Sequence, residues 1–286
     1  MVVYHLAGQD FISLHSLAGL EPYKSKKTIH DFRSFPIVPP NAGDLKCITQ
    51  AKGWIGGGLH DVEMYHSEGA ICFRVEDVGD FFIDLHTGVM GRPDAPAGLE
   101  QIESEVLSGP VLVHALALRG LWSFHAGAGL CKAKTIAFLG ESGMGKSTLA
   151  AYLSQHAGWR LVADDILPVT GRPDGLAAYP HFPQLKLSPS AQPGVGLPER
   201  LPLDMIFELS PVASDALPEF KQLPLEQAVR VLLSHTAGTR LFDDTLLEAH
   251  LAFCAQAVES TPVYRLKYPH SRDALPKVKD MLESLC

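Results

Sequence analysis

Residues 135–148 read TIAFLGESGMGKST, an apolar run that leads into a loop of the form G-x-x-x-x-G-K-[ST], Gly140 to Ser147. The run TIAFL predicts a buried strand, and the residues from Lys146 to about His156 predict a helix, so the loop has a strand before it and a helix after it. Gly140, Gly143 and Gly145 let the backbone bend until successive N–H groups point inward, and the helix N-terminus adds positive partial charge. The stretch is an anion cradle. Its expected nucleotide-binding residues are Gly140, Glu141, Ser142, Gly143, Met144, Gly145, Lys146, Ser147 and Thr148. Lys146 would reach the β and γ phosphates as a point charge, and the Ser147 hydroxyl would ligate Mg²⁺ with Thr148 beside it.

A nucleotide-bound metal needs a further oxygen ligand, and a phosphotransferase needs a base for its acceptor. RLVADDILPV, residues 160–169, offers two adjacent carboxylates, Asp164 and Asp165, after the apolar Leu161–Ala163. The reading is one buried strand, lying parallel beside the strand that carries the loop, with its two carboxylates turned to opposite sides. One can then ligate metal while the other takes a proton; alternatively one caps a turn and only the other acts. WSFHAGAGL places His125 on a strand expected to hairpin into TIAFL through the turn CKAK. In a chain with 13 histidines, spacing alone leaves its role open.

Of the 286 residues, 46% are hydrophobic and 20% charged, the composition of a chain that folds throughout and buries a sizeable core. A net charge of -8 without clustered Lys or Arg argues against nucleic acid and anionic membranes as partners. The start of the chain lacks a signal-peptide pattern, and PVLVHALAL is too short to span a bilayer, so a cytoplasmic protein is expected. The five cysteines contain no CxxC pair and read as free thiols.

Residues 1–100 read as a β-rich N-terminal domain, closed by the Pro- and Gly-containing linker RPDAPAG at 92–98. Residues 101–286 read as an α/β domain that opens with one or two helices in LEQIESEVLSGPVLVHALALRG. The proline-dense stretch 168–224 predicts loops and short edge strands around LDMIFEL. Helices PLEQAVRVLLSH and LLEAHLAFCAQAVES, the strand PVYRLKY and an amphipathic helix in DALPKVKDMLESL follow. GWIGGGLHDVEMYH, residues 53–66, looks like a second glycine-rich loop, but no helix follows it and a β-turn is expected. His60 and His66 lie about 20 Å apart on an extended strand, too far to share a metal.

His125 with Ala126, the GESGMGKS loop, Gly158 with Trp159, and the phrase RLVADD together resemble the catalytic domain of the HPr kinase/phosphorylase family, whose P-loop core is akin to phosphoenolpyruvate carboxykinase. The resemblance covers roughly residues 110–170. It implies an α/β fold in which a P-loop catalytic domain follows a smaller β-rich domain, with ATP and Mg²⁺ as cofactors. It also implies a serine kinase activity, with Asp164 as base and Asp165 and His125 in support. Thr148 stands where that family usually has Glu, and AYPHFPQLKLSPSAQPGVGLPERL occupies the place of its glycine-rich signature. This stretch and the opening VVYHLAGQDFISLHSLAGLEPY are similar instead to the HPr-kinase-like proteins of lasso-peptide and other peptide-modifying gene clusters.

The expectation is therefore phosphoryl transfer from ATP to a serine hydroxyl of a peptide or small protein, with Ser147 and Asp165 on the metal, Lys146 neutralising charge, Asp164 as base and His125 orienting that carboxylate. Lys186 in PQLKLSPSA and Arg240 in SHTAGTRLFDD are further candidate cations for the transferring group. HPr itself as acceptor, a small-molecule acceptor, and a nucleotide-regulated binding module remain alternatives. The oligomeric state is left open.

Overall fold

Among the described residues, short β-branched and aromatic runs broken by Gly and Asp give nineteen strands in three sheets. The computed structural model describes residues 1–26, 32–34, 37–93, 100–184, 187, 193–194, 196–212 and 216–286. These form two units. The first takes in Met1–Gly120 and Gly238–Leu247; the second takes in Leu121–Leu187, Pro193–Ala237 and Glu248–Cys286.

The first unit carries β1 (Val2–Leu6), β2 (Gln9–Ser13), β3 (Lys24–Ser25), β4 (Phe32–Ser34), β5 (Lys46–Ile55), β6 (Gly58–Ser67), β7 (Ala70–Val75), β8 (Gly79–Asp84) and β9 (Val89–Gly91), in one sheet of order β3-β1-β2-β4-β9-β8-β7-β6-β5. The glycine run at 56–58 is a hairpin turn, as expected: Gly56 and Gly57 have φ of 58° and 79°, the positive pair that a two-residue turn matching strand twist requires. On β6, His60 Nδ1 meets the Glu76 carbonyl at 3.0 Å and His66 Nδ1 lies 3.5 Å from Asp243 Oδ2.

The helical stretch after the linker is α1 (Glu100–Val106) and α2 (Leu112–Ala117), joined by a π-helical turn at Leu107–Val111 where Gly109 leaves helical geometry ahead of Pro110. These residues belong to the first unit, whose N-terminal segment runs to Gly120. Leu107, Val111, Leu112 and Leu116 are buried, and the stretch packs on β5, β8 and β9.

The second unit has two sheets. Strands β10 (Trp122–His125), β14 (Ile166–Arg172), β15 (Gly175–Ala178) and β16 (Leu201–Leu203) form one, antiparallel throughout in that order. The other runs β13 (Trp159–Ala163), β11 (Gly127–Cys131), β12 (Lys134–Leu139), β17 (Met205–Val212), β19 (Val263–Pro269), β18 (Glu219–Gln222), with β12, β17 and β19 mutually parallel. Helices α3 (Lys146–Ser154), α4 (Leu225–Ser234), α5 (Asp244–Ser260) and α6 (Leu275–Glu283) complete the chain. Ile136 and Phe138 of β12, Leu149 and Leu153 of α3, Phe207 of β17, and Val278 and Leu282 of α6 share one buried core.

Three strand readings are corrected. RLVADDILPV is two strands in different sheets, broken at Asp164–Asp165. β13 is not beside β12, because β11 lies between them and pairs antiparallel with both. His125 ends β10; the hairpin into β12 is made by β11, with Lys132 in its turn at φ 52°. LDMIFEL, among the expected loops and short strands, supplies an interior strand. β17 lies between β12 and β19, and its Met205, Ile206, Phe207 and Leu209 are buried, the near-continuous apolar run of a strand covered on both faces. Among the described residues, no helix is long and apolar enough to cross a membrane.

Candidate phosphate-binding loop and acidic bend

The loop leaves β12 at Leu139 and closes on Gly145, the N-cap of α3, which has φ 90°. Only glycine fits there, since a Cβ at 145 would sit 2.8 Å from the Tyr268 hydroxyl, in a backbone region that side chains avoid. Tyr268 holds the loop from β19 by donating to the Met144 carbonyl at 2.9 Å. Burial raises the pKa of that phenol, so it stays a donor.

Lys146 is 5% exposed, and its ammonium donates to the carbonyls of Gly140 (2.7 Å) and Glu141 (3.0 Å). A buried cation must be satisfied, and here the loop's own carbonyls do it. Gly127 of β11 lets α3 approach: a Cβ there would be 2.8 Å from the Lys146 carbonyl oxygen.

The acidic bend lies against this helix start although β11 separates the two strands, because α3 packs on both β11 and β13. The Ser147 hydroxyl donates to the Asp164 carbonyl at 3.1 Å, and the Ala126 N–H donates to the Asp165 carbonyl at 3.0 Å. Asp164 is 6% exposed. His125 Nδ1 lies 3.5 Å from Asp165 Oδ1, so the imidazole faces the second carboxylate, where the sequence reading had it orient Asp164. The structure thus gathers Lys146, Ser147, Asp164, Asp165 and His125 in one unit.

Arg240 lies in the first unit, in the 3-10 turn Thr239–Leu241 after Gly238; its side chain is exposed and its carbonyl accepts from the Thr49 hydroxyl at 2.8 Å. Lys186 lies outside the described residues. Glu141, Ser142, Gly143, Ser147 and Thr148 present exposed surface on the loop.

Three contributors had no signal in the sequence. Gln184, 1% exposed, receives the N–H groups of Asp164, Asp165 and Ile166 on its Oε1. Tyr268 is the second. The third is a cleft of ≈ 760 Å³ beside the loop, bounded by Gly140, Glu141, Glu208, Arg230, His235 and Arg265. In it Arg265 Nε pairs with Glu208 Oε2 at 2.7 Å, and burial lowers the pKa of His235. The parallel strands β12, β17 and β19 put their carboxyl ends on the loop side, which is where open α/β sheets bind ligands.

The donors fit a magnesium nucleotide. Glycine N–H groups and a helix start suit phosphate, and Ser147 and Asp165 offer hard oxygens. Among the described residues, no three His, Cys, Asp or Glu side chains converge on a metal of their own, so Mg²⁺ here would draw its other oxygens from phosphate and water.

No protein-family model matches the chain, and no curated protein matches its sequence. Among solved structures it is similar to the Hpr(Ser) kinase/phosphatase from Coxiella burnetii, at 13% identity over 57% of this chain and 95% of that chain, with a TM-score of 0.35.

Proposed function

We propose that this chain transfers the γ-phosphoryl group of ATP to a serine hydroxyl of a peptide or small protein. The observation that carries the reading is the hydrogen bond from Ser147 to the Asp164 carbonyl, which sets the acidic pair beside the end of the phosphate loop, at the start of α3. A loop that only stored nucleotide would need no such pair; an acceptor hydroxyl needs a base within reach of the phosphate.

In this reading Lys146 gives up its loop carbonyls for the β and γ oxygens, and the N–H groups of the loop orient the chain of phosphates. Ser147 and Asp165 would hold Mg²⁺, which would neutralise charge on the phosphates. Asp164 takes the acceptor proton while the serine oxygen bonds to phosphorus and the bond to ADP breaks. His125 steadies Asp165. The sequence resemblance supports a serine acceptor of the kind found beside peptide-modifying systems.

The test is incubation with ATP, Mg²⁺ and serine-bearing peptides, read by mass spectrometry for the gain of one phosphoryl group. Wild type should produce it, and Asp164→Asn should not. Normal transfer by Asp164→Asn would remove Asp164 from the reading. Nucleotide binding with no phosphorylated peptide, protein or small molecule would leave a binding module.

A further inference from the structure

We propose that Gln184 is the positioning residue of the acidic bend, and that its neutral amide aims Asp164 and Asp165 at the loop. The role given to the bend rests on the phosphotransfer reading; the hydrogen-bond geometry does not. Oε1 accepts from the N–H groups of Asp164 (3.0 Å), Asp165 (2.7 Å) and Ile166 (3.1 Å). Nε2 donates to the carbonyls of Ile166 (2.8 Å) and Phe182 (3.0 Å). Both donors of the amide are therefore used, and its oxygen serves three partners.

The partners also decide which end of the amide is which. Reversing it would set an NH₂ group against three N–H donors and an oxygen against two carbonyls, so this orientation alone satisfies the site.

Three successive N–H groups converging on one point make a concave nest of the kind that usually takes an anion. Here an uncharged oxygen fills it, which confines the negative charge to the two carboxylates. Together with Ser147 on the Asp164 carbonyl and Ala126 on that of Asp165, Gln184 accounts for every backbone N–H and C=O of the pair. That fixed backbone sets the direction in which each Cα–Cβ bond leaves the chain. Asn is a methylene too short to reach, Met fills the space without polar atoms, and Glu keeps the acceptors while losing both donors.

The test uses the full chain as Gln184→Met and Gln184→Glu, with three readouts: amide hydrogen exchange at residues 164–166, ATP affinity with and without Mg²⁺, and kcat against KM for transfer. In Gln184→Met, exchange at 164–166 should quicken roughly 10- to 100-fold while α3 keeps its protection. ATP affinity without Mg²⁺ should hold, the gain on adding Mg²⁺ should be lost, and kcat should fall with KM for ATP unchanged. Gln184→Glu keeps an acceptor for the three N–H groups, so exchange at 164–166 should stay slower than in Gln184→Met, but its added charge and an oxygen facing two carbonyls should leave the metal-dependent gain below that of wild type.

Slow exchange at 164–166 in the Met variant, or an unchanged gain from Mg²⁺, overturns the proposal. Should the Met variant not fold, the Glu variant decides alone, and fast exchange at 164–166 in it is the overturning result. If wild type phosphorylates nothing, the kinase reading fails while exchange and metal-dependent ATP affinity still judge Gln184.

Discussion

The Ser147 hydroxyl donates to the backbone carbonyl of Asp164 across 3.1 Å, so the last residue of the loop motif and the first of the acidic pair are bonded directly, although their strands are not neighbours. In the proposed reaction the same hydroxyl would serve as a ligand to Mg²⁺. Ser147→Ala should lower transfer by roughly 100-fold, while Ser147→Thr, which keeps the hydroxyl, should retain most of it. Initial rates at saturating ATP, titrated with Mg²⁺, make the comparison. Equal rates for Ser147→Ala and wild type would take Ser147 out of the metal site.

Lys146 bonds two loop carbonyls from a buried position, and so serves the loop's shape as well as its charge. Lys146→Met keeps the aliphatic stem and removes the cation. Calorimetric titration with ATP should show binding weakened by at least about tenfold, since a charge-assisted contact of about 1.5–3 kcal/mol is gone. Undiminished ATP affinity would mean that the phosphates lie elsewhere.

Close packing of α3 on β11 depends on Gly127. Ala at that position brings a Cβ to 2.8 Å from the Lys146 carbonyl, a backbone atom that cannot swing aside. Overpacking of this kind costs about 1–3 kcal/mol, so Gly127→Ala should lower the denaturation midpoint with little change in m-value. It should also displace the start of α3 and weaken ATP binding. A variant as stable as wild type would show that the helix has room to retreat.

The loop and its two flanks were legible because glycine spacing, a strand before and a helix after are all local patterns, and the structure has each where the sequence put it. Asp164 and Asp165 stood out for a similar reason, as adjacent carboxylates directly after an apolar run. Their setting was not legible. Strand order is a long-range property, and nothing in RLVADDILPV says that the chain changes sheet at the two aspartates or that β11 slips between β13 and β12. Gln184 and Tyr268 escaped because each is a single polar side chain whose partners are remote backbone groups, and one amide in a proline-rich loop has no periodicity to betray it. Nor did the prolines around LDMIFEL reveal that β17 is an interior strand, although Met205, Ile206, Phe207 and Leu209 form its near-continuous buried run.

The second unit should also lose stability in weak acid through His250. This residue is 1% exposed, its Nε2 meets the Thr236 hydroxyl at 2.9 Å, and its ring lies 4.8 Å from that of Trp122. Burial pushes its pKa down to about 4. In the unfolded chain the ordinary value of about 6.5 returns, so between these values the unfolded state binds the extra proton. The stabilisation is complete above about pH 6.5, declines as pH falls and is exhausted near pH 4, with a total on the order of 3 kcal/mol. Buried His114 in the first unit, also held at about 4 by burial, adds a slope of the same sign there. Denaturant unfolding at pH 7, 6, 5 and 4.5, followed through tryptophan fluorescence, checks the sign. His250→Asn should be less stable at pH 7 and lose less on acidification, because the group that takes up the proton is gone. A slope identical to wild type would assign the acid sensitivity to other groups.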